Sequence, residues 1–229
     1  MSPGSQPSSG SKLINEQTPP QSTQVMVVGI ATPRPYAEPA RKGHTVDMRV
    51  VSGDLGGRKL VTPDGSDTRP TSDRVREAMF NSLFSLDAIE GARVLDAFAG
   101  SGALGIEALS RGALHATFVE TGRDALAALR ENIDTLQLGA HGRVVPGDAL
   151  AHLERTAAEG EVYDLVLLDP PYGFDQWDEL LAAVPVGARV VIESDREVVV
   201  PDSWEVHRRK RYGGTVVTLA TASAQGETP

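Results

Sequence analysis

Two stretches of the chain bring together residue types that could do chemistry. The first is Asp169-Pro170-Pro171-Tyr172, which closes an apolar run over 162–168. Paired prolines offer no backbone N–H, and each biases its predecessor toward extended geometry, so a strand stops here and a stiff loop begins. That loop presents a carboxylate, a rigid carbonyl and an aromatic face. An exocyclic amine on a nucleobase is a poor nucleophile because its lone pair is delocalised into the ring. Asp169 and the carbonyl of Pro170 can each accept an N–H from such an amine. This aims the lone pair and favours the positive charge that develops on nitrogen. Tyr172 can stack on the base, a contact worth ~1–3 kcal/mol in nucleic-acid complexes. The plain alternative is a proline-rich turn that caps a strand, with Tyr172 as packing.

The second stretch is a glycine loop. Gly100, Gly102 and Gly105 fit G-x-G-x-x-G, Asp96 stands four residues ahead of Gly100, and Glu120 follows it by twenty. Glycines let backbone approach a ligand, and a carboxylate at this spacing accepts bonds from a ribose diol. NAD, FAD and S-adenosylmethionine all carry adenosine, so the motif alone does not choose among them. Asp96 favours the last, because it can face a cationic methionine amine and would repel a pyrophosphate, although a helix N-terminus attracts one. Asp148, after the third strand, can accept the adenine amino group and is equally a good helix N-cap. A sulfonium donor needs in-line orientation more than a strong base. A tight turn with no ligand is the plain alternative.

The elements that must position these residues follow from hydrophobic period and turn signals. Residues 1–47, rich in Ser, Pro, Gln, Thr and Gly, read as a disordered tail, as do 223–229. A small unit over 48–90 holds strands at 48–52 and 58–61 and a helix over 74–84. Ser72 or Asp73 caps that helix, and Val75, Met79, Leu83 and Phe84 form its apolar face. From 91 to 222 strands (93–98, 115–120, 143–146, 162–168, 188–193) alternate with helices (103–110, 123–136, 149–158, 176–184). A hairpin over 204–211 and 215–220 closes the chain. Such alternation predicts an α/β fold with a mainly parallel sheet covered on both faces and ligands outside the C-terminal strand ends. Asn132, mid-helix, reads as a cap or a solvent-facing residue, and Trp177 and Trp204 as packing.

Composition narrows the classes. The chain has 229 residues, 40% of them apolar, a net charge of −9 and no cysteine. Disulfides, Cys-based zinc sites and thiol nucleophiles are thereby excluded. Five scattered histidines give no metal-ligand spacing, so no metal is expected. Ser101 lies outside any G-x-S-x-G elbow. No apolar run approaches the ~20 residues of a membrane span. The short run at 25–31 lacks the basic flank of a signal peptide, so a soluble cytoplasmic protein is expected.

With these motifs on the page, the chain resembles class I S-adenosylmethionine-dependent methyltransferases that act on amino groups. "MRVVSGDLGGRKL", "TRPTSDRVREAMFNSL", "LDAFAGSGALGIEALSRGA" and "LLDPPY" together are similar to the bacterial 16S rRNA guanine(966)-N2 methyltransferase family, D-type, from Met48 to about Ala220. The resemblance implies a Rossmann-like class I fold with a seven-stranded, mainly parallel sheet, a C-terminal antiparallel hairpin and a small N-terminal hairpin–helix extension. It implies one methyl transfer from S-adenosylmethionine to a guanine N2 amine of 16S rRNA, in the 30S subunit or a late assembly intermediate, by a monomer. Asp96, Gly100, Gly102 and Glu120 would hold the donor, flanked by Phe98 and Ser101. Asp148 would address its adenine beside Ala149, and Asp169, Pro170 and Tyr172 would hold the guanine. Residues 41–80 carry eight basic and six acidic side chains, a net +2 within an acidic protein. Arg58, Lys59, Arg69, Arg74 and Arg76 are therefore expected on rRNA phosphates. Arg208 to Arg211 form a second basic cluster, in which strand alternation splits the side chains between faces. Other readings stay open: a DNA adenine-N6 methyltransferase, a nicotinamide-dependent oxidoreductase, and a non-catalytic RNA-binding assembly factor.

Overall fold

The computed structural model describes residues 48–63 and 72–224, all within one compact unit, 41–229. The tail expected at 1–47, most of that at 223–229, and Arg69 lie outside the described residues.

Seven strands form one sheet in the order β3-β2-β1-β4-β5-β7-β6. They are β1 (Arg93–Asp96), β2 (His115–Glu120), β3 (Gly142–Pro146), β4 (Leu165–Leu168), β5 (Arg189–Ser194), β6 (Glu205–Tyr212) and β7 (Thr215–Thr221). The first five run parallel, and β7 and β6 add antiparallel at one side. The central strand β4 is buried throughout, as its unbroken apolar text requires of a strand covered on both faces. This is the expected class I architecture.

Helices fill both faces. On one lie α1 (Asp73–Ser85), α2 (Ala103–Ser110) and α3 (Arg123–Thr135), whose Phe80, Ile106 and Leu129 pack on Val94, Phe118 and Leu165 of the sheet. On the other, α4 (Ala149–Glu159) and α5 (Trp177–Ala182) bring Leu153, Trp177 and Leu180 against Leu95, Val166 and Ile192. Trp177 and Trp204 are both buried there, as expected. Phe84, expected on the apolar face of α1, is 75% exposed. Its neighbour Leu83 holds the core face in this last turn, at 1% exposure, and position 84 shares the exposed side of the helix with Glu77 and Asn81.

The 48–61 hairpin joins the first of these cores through Met48, Val50 and Leu60. Its two expected strands reduce to one bridge, Arg49 to Lys59. The reason lies across the fold, not in the segment itself. The Val51 and Ser52 N–H groups donate to the Glu107 carboxylate of α2, at 2.6 and 3.0 Å, so they are not available to a ladder.

Candidate active site

The register of β1 on β4 decides what lies together. Asp96 pairs with Leu167, and the Ala97 N–H donates to the Leu167 carbonyl at 3.1 Å. The glycine loop and the Asp169 loop therefore leave the sheet side by side, at its C-terminal edge. Chain order also reverses here, since β1 leads outward to β2 and β3 while β4 begins the other half. Such a switch point opens a crevice for ligands.

Asp96 is buried where the two loops leave the sheet, 1% exposed. Its Oδ2 accepts the Gly105 N–H at 2.9 Å, while Oδ1 has no hydrogen-bond partner. Burial pushes its carboxyl up to about 7; the Gly105 N–H works against that rise and the Glu120 charge adds to it. A buried carboxylate with an unpartnered oxygen fits a ligand ammonium and opposes a pyrophosphate. Gly100 has φ +54, and a Cβ there would meet nothing within 4 Å, so the loop backbone faces open space. At Gly105 a Cβ would lie 2.4 Å from Cε1 of Phe118, which shows how closely α2 packs on β2.

Glu120 acts first on its own chain. Its Oε2 accepts the Gly100 N–H at 2.7 Å, and Oε1 accepts those of Thr121 and Gly122 at 2.8 and 2.6 Å. A carboxylate has about four lone-pair sites, so Oε2 keeps one direction for a ribose hydroxyl. The same acid thus shapes the loop and can touch a ligand. Asp148 caps α4, its Oδ1 accepting the Ala151 N–H at 3.0 Å, with Ala149 buried beside it.

On the acceptor side Asp169 is half-buried, Pro170 buried and Tyr172 61% exposed, free to meet a base. Phe174 was not anticipated. Its ring meets Phe98 edge-on at 5.5 Å and Trp177 at 5.1 Å, and its carbonyl accepts Arg196 Nη2 at 2.7 Å. Phe98, expected at the donor, here braces the loop that follows Asp169. The spacing of Phe174 and Trp177, three residues apart across a helix start, was the available signal.

Of the expected RNA contacts, Arg58, Lys59 and Arg74 are exposed. Arg76 is not: it is fully buried, which corrects its assignment to phosphate. One of its Nη atoms donates to the Arg49 carbonyl and, at 2.9 Å, to Asp73, while Nε lies 3.8 Å from Glu107. Burial lowers the pKa of this guanidinium, and the Glu107 and Asp73 charges offset that. Its place in the stripe Val75, Arg76, Met79, Phe80, Leu83 points it inward. Asn132 is likewise buried, 2% exposed, on the apolar stripe of Leu129 and Ile133. Along β6 the basic side chains divide as expected: Arg208 reaches Ser82 of α1 at 2.8 Å, and Arg209 reaches Thr218 at 3.3 Å.

A family model described as Conserved hypothetical protein 95 matches residues 48–221. The ribosomal RNA small subunit methyltransferase D of Escherichia coli is 39% identical over 189 residues, covering 79% of this chain and 92% of that protein. The Bacillus subtilis protein YlbH is 38% identical over 181 residues, covering 75% of this chain and 97% of its own length. The solved structure of the Escherichia coli protein yhhF is similar at a TM-score of 0.68 and 38% identity, covering 78% of this chain and 99% of that one.

Proposed function

Since this chain belongs to the Conserved hypothetical protein 95 family, that of the small-subunit ribosomal RNA methyltransferase D proteins, we propose that it methylates the N2 amine of a guanine in 16S rRNA. The donor is S-adenosylmethionine, which supplies an electrophilic methyl on a sulfonium. No metal is assigned. The substrate is the assembled or nearly assembled small subunit, in the cytoplasm, and the enzyme acts as a monomer. Among the described residues no helix is long and apolar enough to cross a membrane.

In this reading each side chain has a task at one of the two ligands. Asp96 Oδ1 takes the donor's ammonium, the backbone at Gly100 gives it room beside Ser101, Gly102 packs on Leu129 and holds the turn of that donor loop, and Glu120 Oε2 takes a ribose hydroxyl. Asp148 accepts the adenine amino group. Asp169 and the Pro170 carbonyl accept the two N–H bonds of the guanine amine and aim its lone pair at the methyl. Tyr172 stacks on the base. A bond forms from N2 to the methyl carbon, the bond from that carbon to sulfur breaks, and a proton leaves the now acidic nitrogen to Asp169 or water. Arg58, Lys59 and Arg74 hold phosphates nearby.

The observation that carries the reading is the parallel pairing of β1 with β4, which sets the acceptor tetrapeptide beside the donor loop. Methyl transfer from labelled S-adenosylmethionine to small subunits lacking the modification tests it, with naked 16S rRNA and duplex DNA alongside. Digestion to nucleosides should yield N2-methylguanosine from subunits, lost in Asp169→Ala. N6-methyladenine from DNA would replace this reading with a DNA adenine methyltransferase.

A further inference from the structure

We infer that Asn132 is a positioning residue that couples the 48–61 hairpin to the donor loop. Through it, RNA held by the hairpin and donor held by the loop reinforce each other. The inference rests on the proposed function for the identity of the two ligands.

The geometry is specific. Asn132 Oδ1 accepts the Val61 N–H at 2.8 Å. Its Nδ2 donates both to the Val61 carbonyl and to the Ser101 carbonyl, each at 2.9 Å. One buried amide therefore joins the exit of the hairpin to the residue between Gly100 and Gly102. The Ser101 carbonyl and the Gly102 N–H belong to one peptide plane. That N–H donates to the Ala99 carbonyl at 2.6 Å. By fixing the carbonyl, Asn132 orients the plane whose other side closes the loop's turn. Ser101 Oγ also reaches Met48 Sδ, at the hairpin entry, at 3.5 Å.

The grip continues down α2, the helix that starts in the donor loop. Glu107 holds the Val51 and Ser52 N–H groups. Ser110 Oγ donates to the Ser52 carbonyl at 2.6 Å and accepts the Leu55 N–H at 2.9 Å, while its own carbonyl accepts the Asp54 N–H at 2.8 Å. Gly53 approaches so closely that a Cβ would lie 1.8 Å from that carbonyl. A hairpin gripped at both ends of α2 moves with the loop above it, and a ligand that orders one orders the other. Such coupling is reciprocal.

Two measurements on the full chain test this, with S-adenosylhomocysteine as the probe. In the wild type, it should slow amide exchange at Val51, Ser52 and Val61, and should tighten binding of small-subunit RNA about fivefold or more. Asn132→Ala leaves a buried carbonyl unpartnered, so it should weaken S-adenosylhomocysteine binding about tenfold and abolish the effect on RNA. Asn132→Asp, which keeps the acceptor and loses both donors, should behave likewise. Should neither variant fold, the exchange measurement on the wild type decides. Unchanged exchange at the three hairpin amides, or equal affinity in a folded Asn132→Ala, overturns the coupling. If the wild type fails to bind S-adenosylhomocysteine at all, the donor assignment itself falls, and this inference with it.

Discussion

At the scale of single residues, Asp96 makes the sharpest prediction. Its carboxyl is pushed up to about 7 by burial, against about 4 in an unfolded chain. Between those values the unfolded chain is ionised and the folded one is not, so without a donor stability falls as pH rises through that window. A donor ammonium requires the ionised form and reverses the penalty. Affinity for S-adenosylhomocysteine should therefore climb by up to about tenfold per pH unit below about 7 and level off above. Calorimetric titration across that range checks it, and Asp96→Asn should weaken binding and flatten the profile. A flat wild-type profile would remove Asp96 from the amine. Asp148 permits a cleaner separation of roles. Asp148→Ser keeps a capping oxygen, so unfolding should barely change while donor affinity drops. Asp148→Ala should lose both, with ~0.5–2 kcal/mol of stability. Equal affinity in the Ser variant and wild type would leave Asp148 a cap only. That Asp96, Gly100 and Glu120 lie together was legible from spacing, and the Gly100 N–H does bond to Glu120. The burial of Arg76 and Asn132 is not legible from polarity, which suggests exposure, although both sit on apolar stripes of their helices.

At the scale of elements, the parallel strands and the helices between them were legible because period and length speak together in a buried α/β sheet. Ends were less so. The first strand stops at Asp96 because Ala97 to Gly100 turn toward β2, where the Ala99 N–H donates to the Val119 carbonyl at 2.9 Å. The hairpin's strands failed for a reason no local pattern contains, since their N–H groups bond to Glu107, over fifty residues away. Close packing of α2 on β2 gives the test at this scale. In an open helix Gly→Ala gains up to about 1 kcal/mol. At Gly105 the new methyl would enter the Phe118 ring, and overpacking costs ~1–3 kcal/mol. Gly105→Ala should therefore lower the denaturant midpoint, and Phe118→Leu in the same chain should restore part of it. An unchanged or raised midpoint would mean that the helix shifts freely on the sheet.

At the scale of the whole molecule, a chain of net charge −9 must bind RNA through local charge, and not every arginine in the basic segment can serve. Arg58 and Lys59 are exposed on the hairpin, whereas Arg76, on α1 beneath it, is buried among Asp73, Glu107 and the Arg49 carbonyl. The two kinds should separate experimentally. Each phosphate contact contributes a little under one unit to the slope of log affinity against log salt. Reversing both charges, as Arg58→Glu with Lys59→Glu, should weaken subunit binding at low salt and flatten that slope by about 1–2. Thermal unfolding should hardly move. Arg76→Ala should do the reverse, keeping the slope while destabilising the fold. Removing one partner of a buried ion pair costs ~3–5 kcal/mol. The lower end is expected, because Glu107 retains Arg111 at 2.7 Å and two backbone N–H groups. A salt slope that falls in Arg76→Ala at full stability would put that guanidinium on the RNA after all. An unchanged slope in the double reversal would move the phosphate track off the hairpin, toward the exposed basic side chains of β6.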